Sequence, residues 1–186
     1  MTTTLSTQGG IGTNAQRPDG ALKVRGEFAY SSDLWHEDML WGATLRSPHP
    51  HARIVSIDIT EALKVPGVYA VLTHSDVPGT NLYGLEHADQ PVLAVDVVRY
   101  QGEPVALVAA DHPETARRAI KRIDVSYEVL PPVVNTEDAA HGRAVDLHPQ
   151  GNVVRHVKIR RGPQDVPADV VVSGEYEVGM QDQAFL

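Results

Sequence analysis

Residues 104–129 read PVALVAADHPETARRAIKRIDVSYEV and carry the clearest structural pattern of the 186-residue chain. The unbroken apolar run over 104–110 is typical of a strand that is buried on both faces. Asp111-His112-Pro113 then predicts a helix start, with proline in the first turn. One apolar stripe follows at helical spacing and is formed by Ala116, Ala119, Ile120 and Ile123.

The end of this stretch, residues 123–129, alternates between apolar and polar side chains and predicts a half-buried strand. A strand, a helix and a second strand in this order predict a βαβ-type unit. A shorter strand–helix–strand pattern over 53–72 predicts another, with Thr60 capping its helix. In its first strand, period-2 alternation places Val55, Ile57 and Ile59 on one face. The expected fold class is mixed α/β, with a mixed sheet and few helices.

The remaining chain suggests a division into three parts. Residues 1–22 are rich in Thr, Gly, Ser and Gln, so we predict a tail or irregular lead-in that buries little apolar surface. Residues 23–135 hold the predicted strands and helices and are expected to fold without residues 141–186. Strands are also predicted over 40–45 and 92–98, outside the two units above, and the second unit ends with the strand 68–72.

Residues 136–186 are punctuated by glycine and proline and predict only two strands, 153–159 and 170–178. Phe185 and Leu186 follow the second strand directly. We interpret this part as a connector followed by the first strands of a second domain that is cut near its start.

The composition argues against several kinds of partner. The chain has 16 Lys and Arg against 24 Asp and Glu, a formal net charge of −8. Binding to nucleic acid or to an anionic membrane is therefore disfavoured, because phosphate contacts need clustered Lys and Arg. With no cysteine, the chain supplies no thiolate ligand for zinc or an iron–sulfur cluster. The absence of cysteine is compatible with the cytoplasmic location that we expect.

Residue types alone indicate little catalytic chemistry. His49 and His51 are two residues apart and on an extended backbone would point the same way, as a metal site requires. No third ligand stands at a recognisable spacing, so a stiff turn between prolines is the favoured interpretation. Asp96 and Glu103 are carboxylates near strand ends and are interpreted as structural. The basic residues of the predicted helix form either a solvated face or a contact for an acidic partner subunit, and they are Arg117, Arg118, Lys121 and Arg122.

Five segments are weak individually but specific in their order and spacing. They are 17–26 (RPDGALKVRG), 45–54 (LRSPHPHARI), 66–73 (PGVYAVLT), 98–106 (VRYQGEPVA) and 125–131 (VSYEVLP). Together they resemble the N-terminal part of the large subunit of molybdenum hydroxylases of the xanthine dehydrogenase and aldehyde oxidase family. The resemblance is strongest to the bacterial, purine-oxidising xanthine dehydrogenases.

This resemblance implies an a/b hammerhead domain, running here to about residue 135, and then the start of a molybdopterin-binding domain. The complete enzyme is expected to hydroxylate a purine, xanthine or hypoxanthine, with oxygen derived from water. Molybdopterin would sit in the large subunit, and 2Fe-2S and FAD on partner domains or subunits. The family's pterin loops and catalytic glutamate fall beyond residue 186, so we expect a fragment that binds no cofactor and is inactive alone. The alternative function is a non-catalytic assembly module that binds the iron–sulfur and flavin subunits.

The last residues, 179–186 (GMQDQAFL), resemble the first active-site strand and loop of the second domain. The resemblance makes Gln181 a neighbour of the molybdenum oxo ligand, through an amide that both donates and accepts hydrogen bonds without carrying charge. Gly179 would let the backbone approach the cofactor closely. The segment departs from many relatives in having Met180 in place of a second glycine and Gln183 in place of histidine. No metal ligand or catalytic group is expected within this chain.

Overall fold

The protein is described by a computed structural model that covers residues 12, 17–163, 167–179 and 181. The strands are β1 (Trp41–Arg46), β2 (Ala52–Asp58), β3 (Val68–Leu72), β4 (Leu82–Tyr83), β5 (Gln90–Pro91), β6 (Val97–Val98), β7 (Pro104–Ala110) and β8 (Asp124–Val129). The α-helices are α1 (Gly20–Val24), α2 (Thr60–Leu63), α3 (Pro113–Ile120) and α4 (Thr136–Ala140). No helix in these ranges is both long and apolar enough to cross a lipid bilayer.

Two three-stranded sheets form the body of the protein, one in the order β1-β7-β3 and the other in the order β6-β2-β8. β4 and β5 form a small sheet of their own, and every strand pair is antiparallel. The predicted mixed α/β class with few helices is therefore confirmed, whereas the sheets are antiparallel instead of mixed.

The prediction of βαβ-type units is wrong. The strands on either side of α3, β7 and β8, belong to different sheets, and so do β2 and β3 on either side of α2. Both edges of β7 are already taken by β1 and β3, so β8 cannot pair beside it. Helices α2 and α3 therefore each connect a strand of one sheet to a strand of the other, and neither links two parallel strands of the same sheet.

Helix α3 begins and packs as the sequence predicts. Pro113 is its first residue, and the Nδ1 atom of His112 accepts a hydrogen bond from the Glu114 N–H at 3.1 Å. Ala116 and Ala119 are fully buried against β7 and α2. Because alanine is small, the helix can lie close to the sheet, and this contact forms the larger of the two apolar cores.

A β-bulge alters the predicted face of β2. Ile54 and Ser56 pair with consecutive residues of β8, so Val55 is the extra residue between them. Val55 is 63% exposed, whereas Ile57 and Ile59 pack against the core. The prediction that these three residues share one face is therefore wrong for Val55, because the bulge shifts the alternation by one residue.

The predicted strand 92–98 is reduced to its last two residues, β6. The Asn81 side chain binds Leu93 at both backbone groups, donating to its C=O at 2.8 Å and accepting from its N–H at 3.1 Å. The Ala94 N–H donates to Pro104 C=O at 2.8 Å. These groups are thereby satisfied without a regular neighbouring strand.

The predicted strands 153–159 and 170–178 are also wrong, since residues 153–163 and 167–179 contain no helix or strand. The apolar side chains of the second segment are exposed, with Val172 at 88% and Tyr176 at 90%. A strand needs a neighbour that takes its N–H and C=O groups, and within the described ranges none of the strand pairs includes these segments.

The lead-in predicted to be irregular ends in helix α1, which begins at Gly20. Asp19 stands before it and forms ion pairs with Arg17 and Lys23, each at 2.5 Å. These hydrogen bonds, the one from Arg17 foremost, hold the pKa of the Asp19 carboxyl well below its ordinary value. Residues 1–11 and 13–16 lie outside the described residues.

The turn before β3 depends on a glycine. Gly67 has φ +89°, and a Cβ there would overlap the carboxylate of Asp111, whose N–H donates to Gly67 C=O at 2.9 Å. Gly79 has a similar φ of +81° but open space around it. We expect Gly67→Ala to lower the free energy of unfolding by about 1–3 kcal/mol, because the exposed Asp111 carboxylate must also rotate aside, and Gly79→Ala by about 1–2 kcal/mol. Urea denaturation measures both, and equal losses would contradict a role for the Asp111 contact.

Candidate functional site

Two of the family-like segments meet where β1 ends and β7 begins, and we call residues 46–51 and 99–103 together the joint. The Ser47 N–H donates to Glu103 C=O and the Gly102 N–H donates to Ser47 C=O, both at 2.9 Å. The Arg46 guanidinium adds a bond from Nη1 to Gly102 C=O at 2.8 Å. These bonds extend the contact between β1 and β7 and make the two segments one unit.

The side chain of Glu103 is buried inside the joint. It is the largest of the fully buried side chains in the described part of the chain, at 2% exposure. A carboxylate oxygen, Oε2, accepts a short hydrogen bond from the Arg99 N–H. The Glu103 N–H in turn donates to Tyr100 C=O at 3.2 Å. The buried carboxylate therefore stabilises the turn 99–103, in agreement with the structural interpretation.

Asp96, the other carboxylate considered, is exposed. Its backbone C=O accepts from the Ile54 N–H at 2.8 Å, so the residue contributes to the fold through its main chain.

The two histidines of the joint make separate contacts. His51 is 8% exposed, and its Nδ1 donates to Pro131 C=O at 2.7 Å, because a carbonyl oxygen only accepts. The His49 ring packs edge-on against Tyr127, with ring centroids 5.1 Å apart. Burial raises the pKa of the Tyr127 hydroxyl above its ordinary value. Across the residues that the structure describes, no three His, Asp or Glu side chains converge as metal ligands would.

The joint also reaches a part of the chain that sequence patterns did not associate with it. Arg99 donates from Nε to Leu147 C=O at 2.7 Å and from Nη1 to Val97 C=O at 3.2 Å. We call residues 145–155 the connector loop. Arg99 therefore links the joint to this loop across 48 residues of sequence.

Two further contacts connect the loop to Glu86 and Asp89. His148 Nδ1 lies 3.1 Å from Asp89 Oδ2, with side chains 30% and 19% exposed, but it is not aligned for a hydrogen bond. Arg155 Nη1 lies 3.1 Å from Glu86 Oε1, with both side chains more exposed. No short-range pattern could have revealed these contacts, because the partners are far apart in the sequence.

Gln181 and Gly179, the residues assigned a role by resemblance, are both exposed and lie outside any helix or strand. A Cβ on Gly179 would meet no atom within 4 Å. The structure brings Glu103 and Arg99 into contact, whereas the roles of Gln181 and Gly179 stay predictions. Met180 and Gln183 lie outside the described residues.

Residues 25–131, more than half of the chain, match the family model described as aldehyde oxidase and xanthine dehydrogenase, a/b hammerhead domain. The chain belongs to this family. The match confirms the resemblance seen in the five segments. The antiparallel sheets and few helices described above are thus a hammerhead domain.

Similar proteins extend the match beyond the hammerhead domain. The chain is 41% identical over 173 residues to a probable xanthine dehydrogenase subunit of Bacillus subtilis, covering 91% of this chain and 23% of the relative. It is 32% identical over 179 residues to the nicotinate dehydrogenase large molybdopterin subunit of Eubacterium barkeri, covering 95% and 42%. The chain thus spans less than half the length of these relatives.

Solved structures agree. The aldehyde oxidoreductase from Desulfovibrio gigas superposes with a TM-score of 0.66 at 34% identity, over 72% of this chain and 16% of that one. A likeness of both sequence and fold places the hammerhead within a much longer polypeptide in that protein.

Proposed function

We propose that this chain is the N-terminal part of the large subunit of a molybdenum hydroxylase that oxidises a purine, xanthine or hypoxanthine. The observation that carries the proposal is the match to a xanthine dehydrogenase subunit at 41% identity over 91% of the chain. The two other relatives described above are named for nicotinate and for an aldehyde. The choice of a purine as substrate is therefore a more specific proposal than the hydroxylase itself.

In this proposal the chain contributes one hydrogen-bonding side chain to the active site. The molybdenum cofactor, when bound, supplies the two-electron oxidation of a substrate carbon with oxygen from water. Gln181 offers an uncharged amide beside that centre, and its exposure leaves the amide available to a neighbouring domain. The open space at Gly179 is compatible with a close approach of the backbone.

Molybdopterin and the metal would be held by residues outside this chain. The chain has no cysteine, and no set of three His, Asp or Glu ligands converges in the described ranges. As the resemblance to the family implies, we place 2Fe-2S and FAD on partner domains or subunits and the enzyme in the cytoplasm. Elemental analysis of the isolated chain is expected to find no stoichiometric molybdenum.

The division of the chain is part of the same proposal, with the hammerhead domain over 23–135 and the connector and start of the molybdopterin-binding domain over 136–186. The sheets and both apolar cores lie between residues 41 and 129. We therefore expect a chain that ends at residue 140 to unfold in one cooperative transition. Gradual, non-cooperative loss of its circular dichroism signal on heating would contradict the division.

Reconstitution tests the function. The chain is to be joined to the remainder of the large subunit and co-expressed with the iron–sulfur and flavin subunits. Oxidation of xanthine, hypoxanthine, nicotinate and an aromatic aldehyde is then measured under the same conditions. We expect the highest kcat/KM with a purine. If only nicotinate or only the aldehyde is oxidised, the proposed purine substrate is wrong. If a molybdenum-loaded enzyme oxidises none of these compounds, the proposed hydroxylase activity is wrong.

A second candidate is an assembly module without chemistry of its own, and it is favoured by basic residues at the C-terminal end of α3. Arg118 in α3 and Arg122 just after it are exposed on a chain of net charge −8, and they line a surface groove with the ion pair of Lys64 and Glu61. An acidic partner subunit would complement this face. If so, Arg118→Glu with Arg122→Glu should weaken binding of the iron–sulfur or flavin subunit at least 10-fold. Unchanged binding in a pull-down titration would exclude this face as the contact.

A further inference from the structure

Arg99 is held in place before it reaches the connector loop. Its backbone N–H is bound by the buried Glu103 carboxylate, and its Nη1 donates to Val97 C=O. A free arginine side chain loses considerable rotamer entropy when it is fixed. Contacts within the hammerhead already restrict the Arg99 side chain, so less rotamer entropy is lost when its Nε–H binds the connector loop.

The connector loop presents a preformed acceptor to Arg99. Asn152 ties the loop together, accepting from the Leu147 N–H and donating to Val145 C=O, both at 2.9 Å. A second bond runs from the Gly151 N–H to His148 C=O at 2.9 Å, with Gly151 at φ +89°. Leu147 C=O therefore belongs to a loop that its own hydrogen bonds hold in one conformation.

The two contacts of the connector loop with Glu86 and Asp89 differ in how exposed they are and in how much they contribute to stability. The Arg155–Glu86 pair is largely exposed, and such pairs contribute little. The His148–Asp89 contact is more buried, with Asp89 at 19% exposure, but it is a close approach without a hydrogen bond. The contact that matters most is thus the hydrogen bond from Arg99.

We propose that Arg99, with Asp89 in close contact with His148 beside it, clamps the connector loop onto the hammerhead and so fixes the direction in which the chain leaves this domain. The clamp joins two segments through side chains on one and a self-bonded loop on the other. Arg99 is in this sense a positioning residue: it acts on where the following chain goes. The inference depends only on this chain and stands whichever substrate the complete enzyme takes.

Hydrogen exchange followed by mass spectrometry tests the clamp in the 186-residue chain. Arg99→Ala should raise the exchange of the peptide covering 145–152 about 10-fold, since loss of one such hydrogen bond changes an opening equilibrium by about that factor. Peptides from 104–129 should keep their protection. Arg99→Lys should recover part of the protection at 145–152, because the lysine ammonium group can still donate to Leu147 C=O.

Arg46→Ala is the matched control, because Arg46 also donates to a backbone carbonyl of the joint but not to the loop. It should leave exchange at 145–152 unchanged. His148→Ala acts from the loop side and covers the case in which Arg99→Ala unfolds the hammerhead. Exchange at 145–152 that stays at the parent level in His148→Ala and in a folded Arg99→Ala would overturn the clamp. Equal opening by Arg46→Ala and Arg99→Ala would overturn it as well.

Discussion

Gln181→Ala in the complete enzyme should lower turnover by about 10-fold to 10³-fold, by analogy with the removal of one oriented donor from an oxyanion hole. The amide can donate to or accept from a group at the reacting centre without altering the charge of the site. Alanine removes that bond and adds no new interaction. The loss should fall on kcat more than on KM, because a bond that strengthens as the substrate reacts affects the chemical step.

Gln183→Ala is the control for this prediction, since it removes the same chemical group two residues away. Both variants should retain their molybdenum content and their circular dichroism spectra. Normal turnover by Gln181→Ala together with loss in Gln183→Ala would show that the role belongs to the other glutamine. Normal turnover by both would remove this segment from the active site.

Glu103→Ala should lower the free energy of unfolding by about 2–4 kcal/mol. The substitution removes the acceptor of the Arg99 N–H and leaves that partly buried group without its partner. It also leaves unfilled volume at a site that is 2% exposed. Glu103→Gln should cost less than Glu103→Ala, because the amide oxygen can still accept from the Arg99 N–H. Urea denaturation of the isolated chain measures all of these values.

Asp96→Ala is matched to this experiment because Asp96 is an exposed carboxylate that also lies near a strand end. Its loss should remain within about 0.5 kcal/mol, as is usual for surface substitutions. Similar losses at positions 96 and 103 would mean that burial of the Glu103 carboxylate does not stabilise the joint.

Local patterns predicted helix α3 well, whereas the patterns over 153–159 and 170–178 did not correspond to strands. The start of α3 and its alanine stripe depend on residues next to one another, and both are where the sequence places them. The pairing of the strands depends on distant residues, and here the sequence-based predictions were wrong. Nothing within 104–129 shows that β1 and β3 occupy both edges of β7. The bulge at Val55 likewise arises from its pairing with β8.

The site divides in the same way. Glu103 was identified as a carboxylate near a strand end, but its burial, at 2% exposure, has no signal in the neighbouring residues. The contact between Arg99 and Leu147 spans 48 residues and has no sequence signal. Gln181 was found only through resemblance to a family, because an exposed glutamine after an apolar run is common in proteins and indicates nothing by itself.

The order of the strands has a consequence for synthesis on the ribosome. In the sheet β1-β7-β3, β7 is the one strand of the described ranges that pairs with either outer strand, so residues 41–46 and 68–72 await residues 104–110 for these pairings. At about 5–20 residues per second, translation from β1 to β7 takes roughly 3–13 s. During that interval two apolar strands with open edges are available to other nascent chains. Polypeptides that stop before residue 110 should therefore aggregate in cells, and slower translation across residues 47–103 should increase the demand for chaperones.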